Sequence, residues 1–284
     1  MNSESPIRHV SDTAYWMASY RASESERKDA LFRDPLARLL VGEHGKRIMD
    51  SMADTARYSS WTLVIRTCLI DDLIRKFVAE GYTTFVNLGA GLDTRPYRLD
   101  LPESVQWIEI DSPGIIQLKN EKLRNQKPTC RLERIAVDLS NRAERQSVFS
   151  ELNARIGPAV VLTEGLVPYL TEDMVRDLAE HLRQIPNFRL WITEYYSPKL
   201  YPLFQGRKFR ESLGDSPFRF FPKDWFAVFE SGGWRKKEIR YLYDEGERLG
   251  RRFPAPWFVS LLRIFVNKEA FAKHMRLQAY AVLE

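Results

Sequence analysis

Cysteine and histidine are both scarce in this chain of 284 residues, which has two cysteines and four histidines. Cys68 and Cys130 are too few and too far apart for a disulfide framework or a metal cluster, and the histidines show no ligand spacing. We therefore expect no metal site. The low use of cysteine favours a reducing compartment, and thus a cytoplasmic protein.

The sequence also lacks a long unbroken apolar run. The longest, Trp257 to Val266, is interrupted by Ser260 and Arg263 and is too short to span a bilayer. The first residues carry charges and no apolar core, so they do not resemble a signal peptide. We expect no membrane partner.

An excess of one charge sign is likewise small, because the net charge is +5 with a pI of about 9.1. Basic residues alternate with acidic ones, and the densest basic clusters, 235–237 and 251–252, are short. A solvated face is therefore the favoured interpretation, and a nucleic-acid patch is the less favoured one.

The order of apolar runs and breaks predicts an α/β fold. Residues 1–80 are predicted to be helical, with one helix opening at Asp34-Pro35 and another over 58–80. Strands and helices then alternate, which predicts a mostly parallel sheet. The predicted strands are 83–88, 105–111, 132–137, 159–164 and 188–195, and the predicted helices are 113–126, 141–156 and 171–185.

Residues 196–284 depart from this alternation of strands and helices. Residues 196–232 are rich in aromatic residues, proline and glycine and are too long for a plain connection, which predicts a lid. Two further strands, 236–242 and 275–283, flank a helix, and the last would fit as an antiparallel strand. We expect a single domain over 1–284, with a helical cap (1–80), a core (81–195), the lid, and C-terminal strands with a helix (233–284).

The loop after the first strand carries the most specific motif. Gly89-Ala90-Gly91 resembles the start of a dinucleotide fingerprint, but Thr94 stands where the third small residue is needed. Asp93 would repel a pyrophosphate, so a nicotinamide oxidoreductase is disfavoured. A cationic nucleoside without phosphate fits better, and S-adenosyl-L-methionine is the common one.

Acidic residues close the following strands. Asp111 lies 20 residues after Gly91, which suits a carboxylate that accepts from ribose hydroxyls. Asp138 and Leu139 could hold an adenine, although Asp138 is as readily a helix-start residue. Glu164 ends an apolar strand and is costly to bury without a cationic partner, such as a sulfonium or amine.

Arg66 is predicted to project from the apolar stripe of its helix, which contains Leu63, Ile70 and Leu73. An unpaired charge there would be expensive, so Arg66 needs an anion. The anion is either an internal Asp or Glu or the carboxylate of a ligand, held bidentately.

Several motifs together resemble the leucine carboxyl methyltransferase family, and within it the bacterial S-adenosyl-L-methionine-dependent methyltransferases that include polyketide O-methyltransferases. The segments that carry the resemblance are Gly-Ala-Gly-Leu-Asp-Thr-Arg-Pro-Tyr-Arg-Leu (89–99), Glu-Ile-Asp-Ser-Pro (109–113), Thr-Glu-Gly-Leu-Val-Pro-Tyr-Leu (163–170), Thr-Ala-Tyr-Trp (13–16) and Phe-Arg-Asp-Pro-Leu-Ala (32–37). The likeness covers roughly 10–195 and is weak over 196–284.

The resemblance implies a class I methyltransferase (Rossmann-like) fold with seven strands, the last antiparallel. It also implies a role for each position. Arg66 would bind the carboxylate of the methionine moiety, and Glu164 would lie beside that moiety. Asp111 would hold the ribose, and Asp138 and Leu139 would line the adenine. The loop around the cofactor would consist of Gly89, Ala90, Gly91 and Asp93. One departure is Asn87, where class I enzymes often have an acid.

The expected reaction is O-methylation of a small-molecule carboxylate or hydroxyl, or of a C-terminal carboxylate. A carboxylate is already ionised at neutral pH and needs no general base. A hydroxyl needs one, and the candidates are Glu164, Tyr169 and Tyr195. Tyr169, Tyr195, Tyr196 and the aromatic stretch 218–221 are either pocket or core.

Two alternatives remain open beside this reaction. One is a nucleic-acid (tRNA) methyltransferase, and the other is a non-catalytic S-adenosylmethionine-binding module. The sequence leaves the acceptor and the oligomeric state open.

Overall fold

The fold is a seven-stranded sheet with helices on both faces, seen in a computed structural model that describes residues 10–51, 56–255 and 267–284. The strand order is β3-β2-β1-β4-β5-β7-β6. Neighbours among β1 to β5 are parallel, and β7 is antiparallel to both β5 and β6. The strands are β1 (Thr84–Leu88), β2 (Gln106–Asp111), β3 (Arg131–Ala136), β4 (Ala159–Thr163), β5 (Phe188–Tyr196), β6 (Lys236–Tyr241) and β7 (Gln278–Leu283).

The predicted strands and the antiparallel last strand are confirmed, with bounds that agree within a few residues. The helices of the described residues are α1 (Val10–Ser25), α2 (Pro35–Ser51), α3 (Ala56–Ala79), α4 (Arg95–Arg98), α5 (Pro113–Lys122), α6 (Arg142–Arg155), α7 (Glu172–Arg183), α8 (Tyr201–Gln205), α9 (Arg207–Leu213), α10 (Trp225–Ser231), α11 (Leu242–Arg248) and α12 (Lys268–Met275).

The two faces of the sheet have separate cores, because side chains alternate along each strand. On one face, Ile192 and Tyr280 pack with the apolar stripe of α3. On the other face, Trp191 packs with α7 and α10. Strands β1 and β4 are buried along their whole length, as expected for parallel strands covered on both sides.

The segment 196–232 has two parts. Its first part contains α8, α9 and an aromatic cluster described below. Its second part, which includes Trp225 and Phe229 of α10, is buried in the core on the α7 face of the sheet. The lid prediction therefore concerns the first part only.

The apolar run 257–266 lies outside the described residues. Among those that are described, no helix has both the length and the apolar content that a membrane crossing requires.

Candidate functional site

A cavity of about 430 Å³ opens where the parallel strands end. Its walls come from the turn after β1, the ends of β2 to β5, the first turns of α1 and α3, and the segment 204–218. All ten side chains or loop positions predicted for the site line it: Arg66, Gly89, Ala90, Gly91, Asp93, Asp111, Asp138, Leu139, Glu164 and Tyr169. Their assignment to individual ligand groups stays a prediction.

The turn after β1 requires its glycines. Gly89 and Gly91 have φ angles of +66° and +48°, which residues that carry a side chain rarely adopt. A Cβ on Gly91 would also lie 3.3 Å from the Cβ of Ala14 in α1. The backbone N–H of Gly91 donates to Asp111 Oδ2 at 2.7 Å, so the end of β2 fixes the turn.

Asp93 lines the cavity and is held there by two neighbouring side chains. Asn87 donates to its Oδ2 at 2.9 Å, and the Arg95 guanidinium lies 3.0 Å from the same oxygen. Burial opposes ionisation, but the attraction of Arg95 prevails and lowers the pKa of Asp93 to about 2. Asp93 is therefore ionised, and Arg95, which it shares with Asp71 and Glu164, offsets its charge only in part. That Asp93 disfavours a pyrophosphate stays a prediction.

Arg66 and Glu164 meet at the cavity wall. Arg66 Nε lies 2.9 Å from Glu164 Oε1, and the internal-acid alternative for Arg66 is thus seen in the structure. The other carboxylate oxygen accepts from Arg95 at 2.6 Å. Burial disfavours the charged form of Glu164, yet Arg95 and then Arg66 outweigh it and hold its pKa below the ordinary value. Arg66 Nε is buried against this carboxylate, and the residue lines the cavity.

Buried ion pairs connect this site to the helical cap. Arg95, which is 2% exposed, also pairs with Asp71 of α3 at 2.7 Å. Asp34, before α2, accepts from Arg21 of α1 at 2.9 Å and from Thr94 at 2.7 Å. Sequence reasoning missed this network. Its only signal is the presence of charged residues within segments that are otherwise buried, since the partners lie far apart in the chain.

Asp111, which ends β2, and Asp138, which follows β3, accept hydrogen bonds from nearby backbone N–H groups. Asp111 Oδ1 accepts from the N–H of Ser112 at 2.7 Å. Asp138 accepts from the N–H and hydroxyl of Ser140, which hold its pKa below the ordinary value. This contact is a local turn before α6, whose N-terminal cap is Asn141, so the helix-start alternative for Asp138 is wrong. Asp138 also lines the cavity. The carbonyl of Leu139 accepts from Arg145 at 2.8 Å.

The far side of the cavity is aromatic. The Tyr169 ring packs edge-on against Phe218 with centroids 5.1 Å apart, and Phe204 lies 5.3 Å from Phe218. Burial raises the pKa of Tyr169 to about 12, so this phenol stays protonated at neutral pH. Tyr196 also lines the cavity.

Tyr195 is the one base candidate that the structure places elsewhere. It faces the opposite side of the sheet, where it stacks on Phe226 at 5.5 Å. Strand alternation explains the difference from Tyr196. In the described ranges, no three His, Cys, Asp or Glu side chains are grouped to hold a metal ion.

The sheet order and a ligand-sized cavity at the strand ends define a class I methyltransferase fold. Residues 14–183, more than half of the chain, match the model of the family described as leucine carboxyl methyltransferase. The chain belongs to this family.

Curated relatives agree with this membership. A "Putative S-adenosyl-L-methionine-dependent methyltransferase" of Streptomyces coelicolor is 37% identical over 172 residues, which cover 57% of this chain and 60% of that protein. One from Frankia alni is 29% identical over 261 residues, which cover 86% and 90%. The match to the first of these relatives thus spans about 60% of its length.

Solved structures agree in fold. A DUF574 family protein from Streptomyces avermitilis superposes with a TM-score of 0.59 at 16% identity, covering 94% of this chain and 96% of its own. A methyltransferase structure from Thermobifida fusca, titled as putative, gives 0.58 at 15% identity over 87% and 91%.

Proposed function

We propose that this protein is an S-adenosyl-L-methionine-dependent methyltransferase that O-methylates a carboxylate or hydroxyl of a small molecule. Curated members of its family carry that cofactor in their names. The observation that carries the proposal is the convergence of the Gly89–Gly91 turn, Asp111 and Arg66 on one cavity.

The residues present fit this cofactor. Positive φ angles at Gly89 and Gly91 leave backbone without side chains at the cavity, where a ligand can approach closely. Arg66 lines the cavity, where its guanidinium can donate to a ligand carboxylate. Asp111 provides acceptors for ribose hydroxyls beside that turn. These observations support the roles assigned to Arg66 and Asp111.

When bound, S-adenosylmethionine supplies an electrophilic methyl group on a sulfonium. The protein then has to position the acceptor oxygen in line and keep water out. The aromatic side of the cavity, with Phe204, Phe218 and Tyr196, is suited to exclude water.

Proton handling differs between the two acceptor types. A carboxylate acceptor needs no proton transfer. For a hydroxyl, Glu164 is ionised and could accept the proton, but its arginine partners make it a weak base. Tyr169, protonated at neutral pH, can donate a hydrogen bond to the acceptor but not take its proton.

Transfer of tritiated methyl from S-adenosylmethionine tests the proposal. The purified protein is offered panels of aromatic and aliphatic carboxylic acids, phenols and alcohols, and bulk tRNA. We expect label in an organic-extractable ester or ether and none in tRNA. Label in tRNA would support a nucleic-acid enzyme, and S-adenosylhomocysteine binding without any turnover would support a non-catalytic module.

A further inference from the structure

The sheet order divides the cavity between two regions. Apart from Arg66 on α3, the residues predicted to hold the cofactor lie at or just after the ends of β3, β2, β1 and β4, whereas β5 and β7 lie beyond β4. Because β7 is antiparallel, its first residue, Gln278, lies at the same edge as the ends of the parallel strands and pairs with Tyr196 of β5. Strands are spaced about 4.8 Å apart, so Gln278 is about 10 Å along the sheet from β4.

Gln278 has an unsatisfied polar atom in this second region. The residue is 7% exposed and lines the cavity. Its Nε2 donates to the hydroxyl oxygen of Tyr58 at 2.6 Å, which holds the amide in place. Its Oε1 is buried and has no hydrogen-bond partner. Buried polar atoms are nearly always paired, so this oxygen points to a ligand that donates a hydrogen bond.

The surroundings of Gln278 specify the rest of that ligand. The rings of Phe204 and Tyr196 pack edge-on with their centroids 5.2 Å apart. Phe209 packs against Phe204 and Phe218, which completes an aromatic cluster. Trp16 and Leu213 line the same cavity. None of these side chains is ionisable except the Tyr196 phenol, whose pKa burial raises far above neutrality. Among the charged lining residues, Asp111 ends β2 and Arg145 belongs to α6, both on the cofactor side. Arg66 of α3 interacts with Tyr196, but its charge is paired with Glu164 at 2.9 Å.

We propose that Gln278 selects the methyl acceptor by accepting a hydrogen bond from it, and that the acceptor is a small molecule with an uncharged aromatic body that carries an O–H or N–H donor. This inference rests on the proposed function and gives it a substrate class. A carboxylate placed at Oε1 would meet a second acceptor, so the group that contacts Gln278 is a hydroxyl or an amine N–H.

A matched pair of probes tests the inference. The probes are 2-naphthol, which can donate a hydrogen bond, and 2-methoxynaphthalene, which cannot. Their binding to the protein saturated with S-adenosylhomocysteine is followed by naphthalene fluorescence. We expect the wild type to prefer 2-naphthol roughly tenfold, the effect of one net hydrogen bond. In Gln278→Leu the preference should vanish, with the affinity for 2-methoxynaphthalene changed less than twofold.

Gln278→Glu is the matched control, because it keeps an acceptor oxygen and the Tyr58 hydroxyl can donate to its other oxygen. It should retain the preference for 2-naphthol. Gln278→Met replaces Gln278→Leu if the latter does not fold. The inference is overturned if neither probe binds the wild type, if the wild type shows no preference, or if the preference survives loss of the oxygen.

Failure of the proposed function gives a different result. Calorimetry with S-adenosylhomocysteine is run first on each variant, and absence of heat with the wild type contradicts the proposed function. The probe titrations are repeated without S-adenosylhomocysteine, where the selectivity of Gln278 is measured independently of the cofactor.

Discussion

Arg66 of α3 and Glu164 at the end of β4 form an ion pair of 2.9 Å in the wall of the cavity. Glu164 is also held by Arg95, so it keeps a cationic partner if Arg66 is engaged by a ligand. The pair therefore leaves Arg66 able to bind a carboxylate without leaving Glu164 unpaired.

Arg66→Ala should abolish the thermal stabilisation by S-adenosylhomocysteine. In the wild type, ligand at 100 times Kd should stabilise the fold by about 2.7 kcal/mol, and loss of the guanidinium removes the anchor of the ligand carboxylate. Differential scanning fluorimetry measures the shift. Arg75→Ala, at an exposed position of the same helix, should keep it in full. A normal shift in Arg66→Ala would refute the assignment.

Asp111→Ala should weaken S-adenosylhomocysteine binding roughly 10- to 100-fold, as expected for a hydrogen bond to a charged group. The change removes the ribose acceptor and also the contact that fixes Gly91. Titration calorimetry gives the affinity, with exposed Asp100→Ala as the control. Equal affinities in the two variants would exclude Asp111 from the site.

Gly91→Ala should impair ligand binding more than Gly250→Ala. Both changes place an alanine at positive φ, at a cost of about 1–2 kcal/mol, but only at position 91 would the new Cβ press on Ala14. Chemical unfolding of both variants measures the cost of the backbone strain. Calorimetry measures their ligand affinity, which the displacement of α1 should lower only in Gly91→Ala. Indistinguishable ligand affinities would contradict the close packing of α1 on the turn.

Arg95→Met should cost about 3–5 kcal/mol of unfolding free energy, because Asp93, Asp71 and Glu164 lose a buried partner. Urea unfolding checks this. Arg155→Met, which breaks a more exposed pair with Glu133, should cost no more than about 1 kcal/mol. Similar losses in both variants would mean that the buried network contributes little.

The pH dependence of stability should reveal Glu194, which is 2% exposed. Burial raises its pKa from 4.5 to about 7, and Arg66 offsets this only in part. The folded state therefore binds the proton more tightly than the unfolded state. The contribution of Glu194 is complete below pH 4.5 and is lost as the pH rises towards 7. Relative to Glu194→Gln, the wild type should lose unfolding free energy between pH 5 and about pH 7.5. Parallel curves would contradict the raised pKa.

The sequence is sufficient for the strands and for the ten predicted site residues that line the cavity. Apolar runs that end in a glycine or an acid mark the carboxyl ends of parallel strands, and the fold brings those ends together. This is why Gly91, Asp111 and Glu164 were found from local pattern alone.

Long-range pairing and strand parity were not predictable in this way. That Glu164 is shared by Arg66 and Arg95 depends on helix placement, which local spacing does not encode. Whether Tyr195 or Tyr196 faces the cavity depends on which face of β5 packs on α3. Gln278 was missed because an antiparallel strand enters the site with its first residue and without any motif.

Isothermal titration of the purified protein with S-adenosylhomocysteine tests the central claim most directly. One saturable binding event, weakened by Asp111→Ala and unaffected by NADH as a competitor, is the predicted result. No heat at any concentration of S-adenosylmethionine or S-adenosylhomocysteine, with the protein folded, would contradict it.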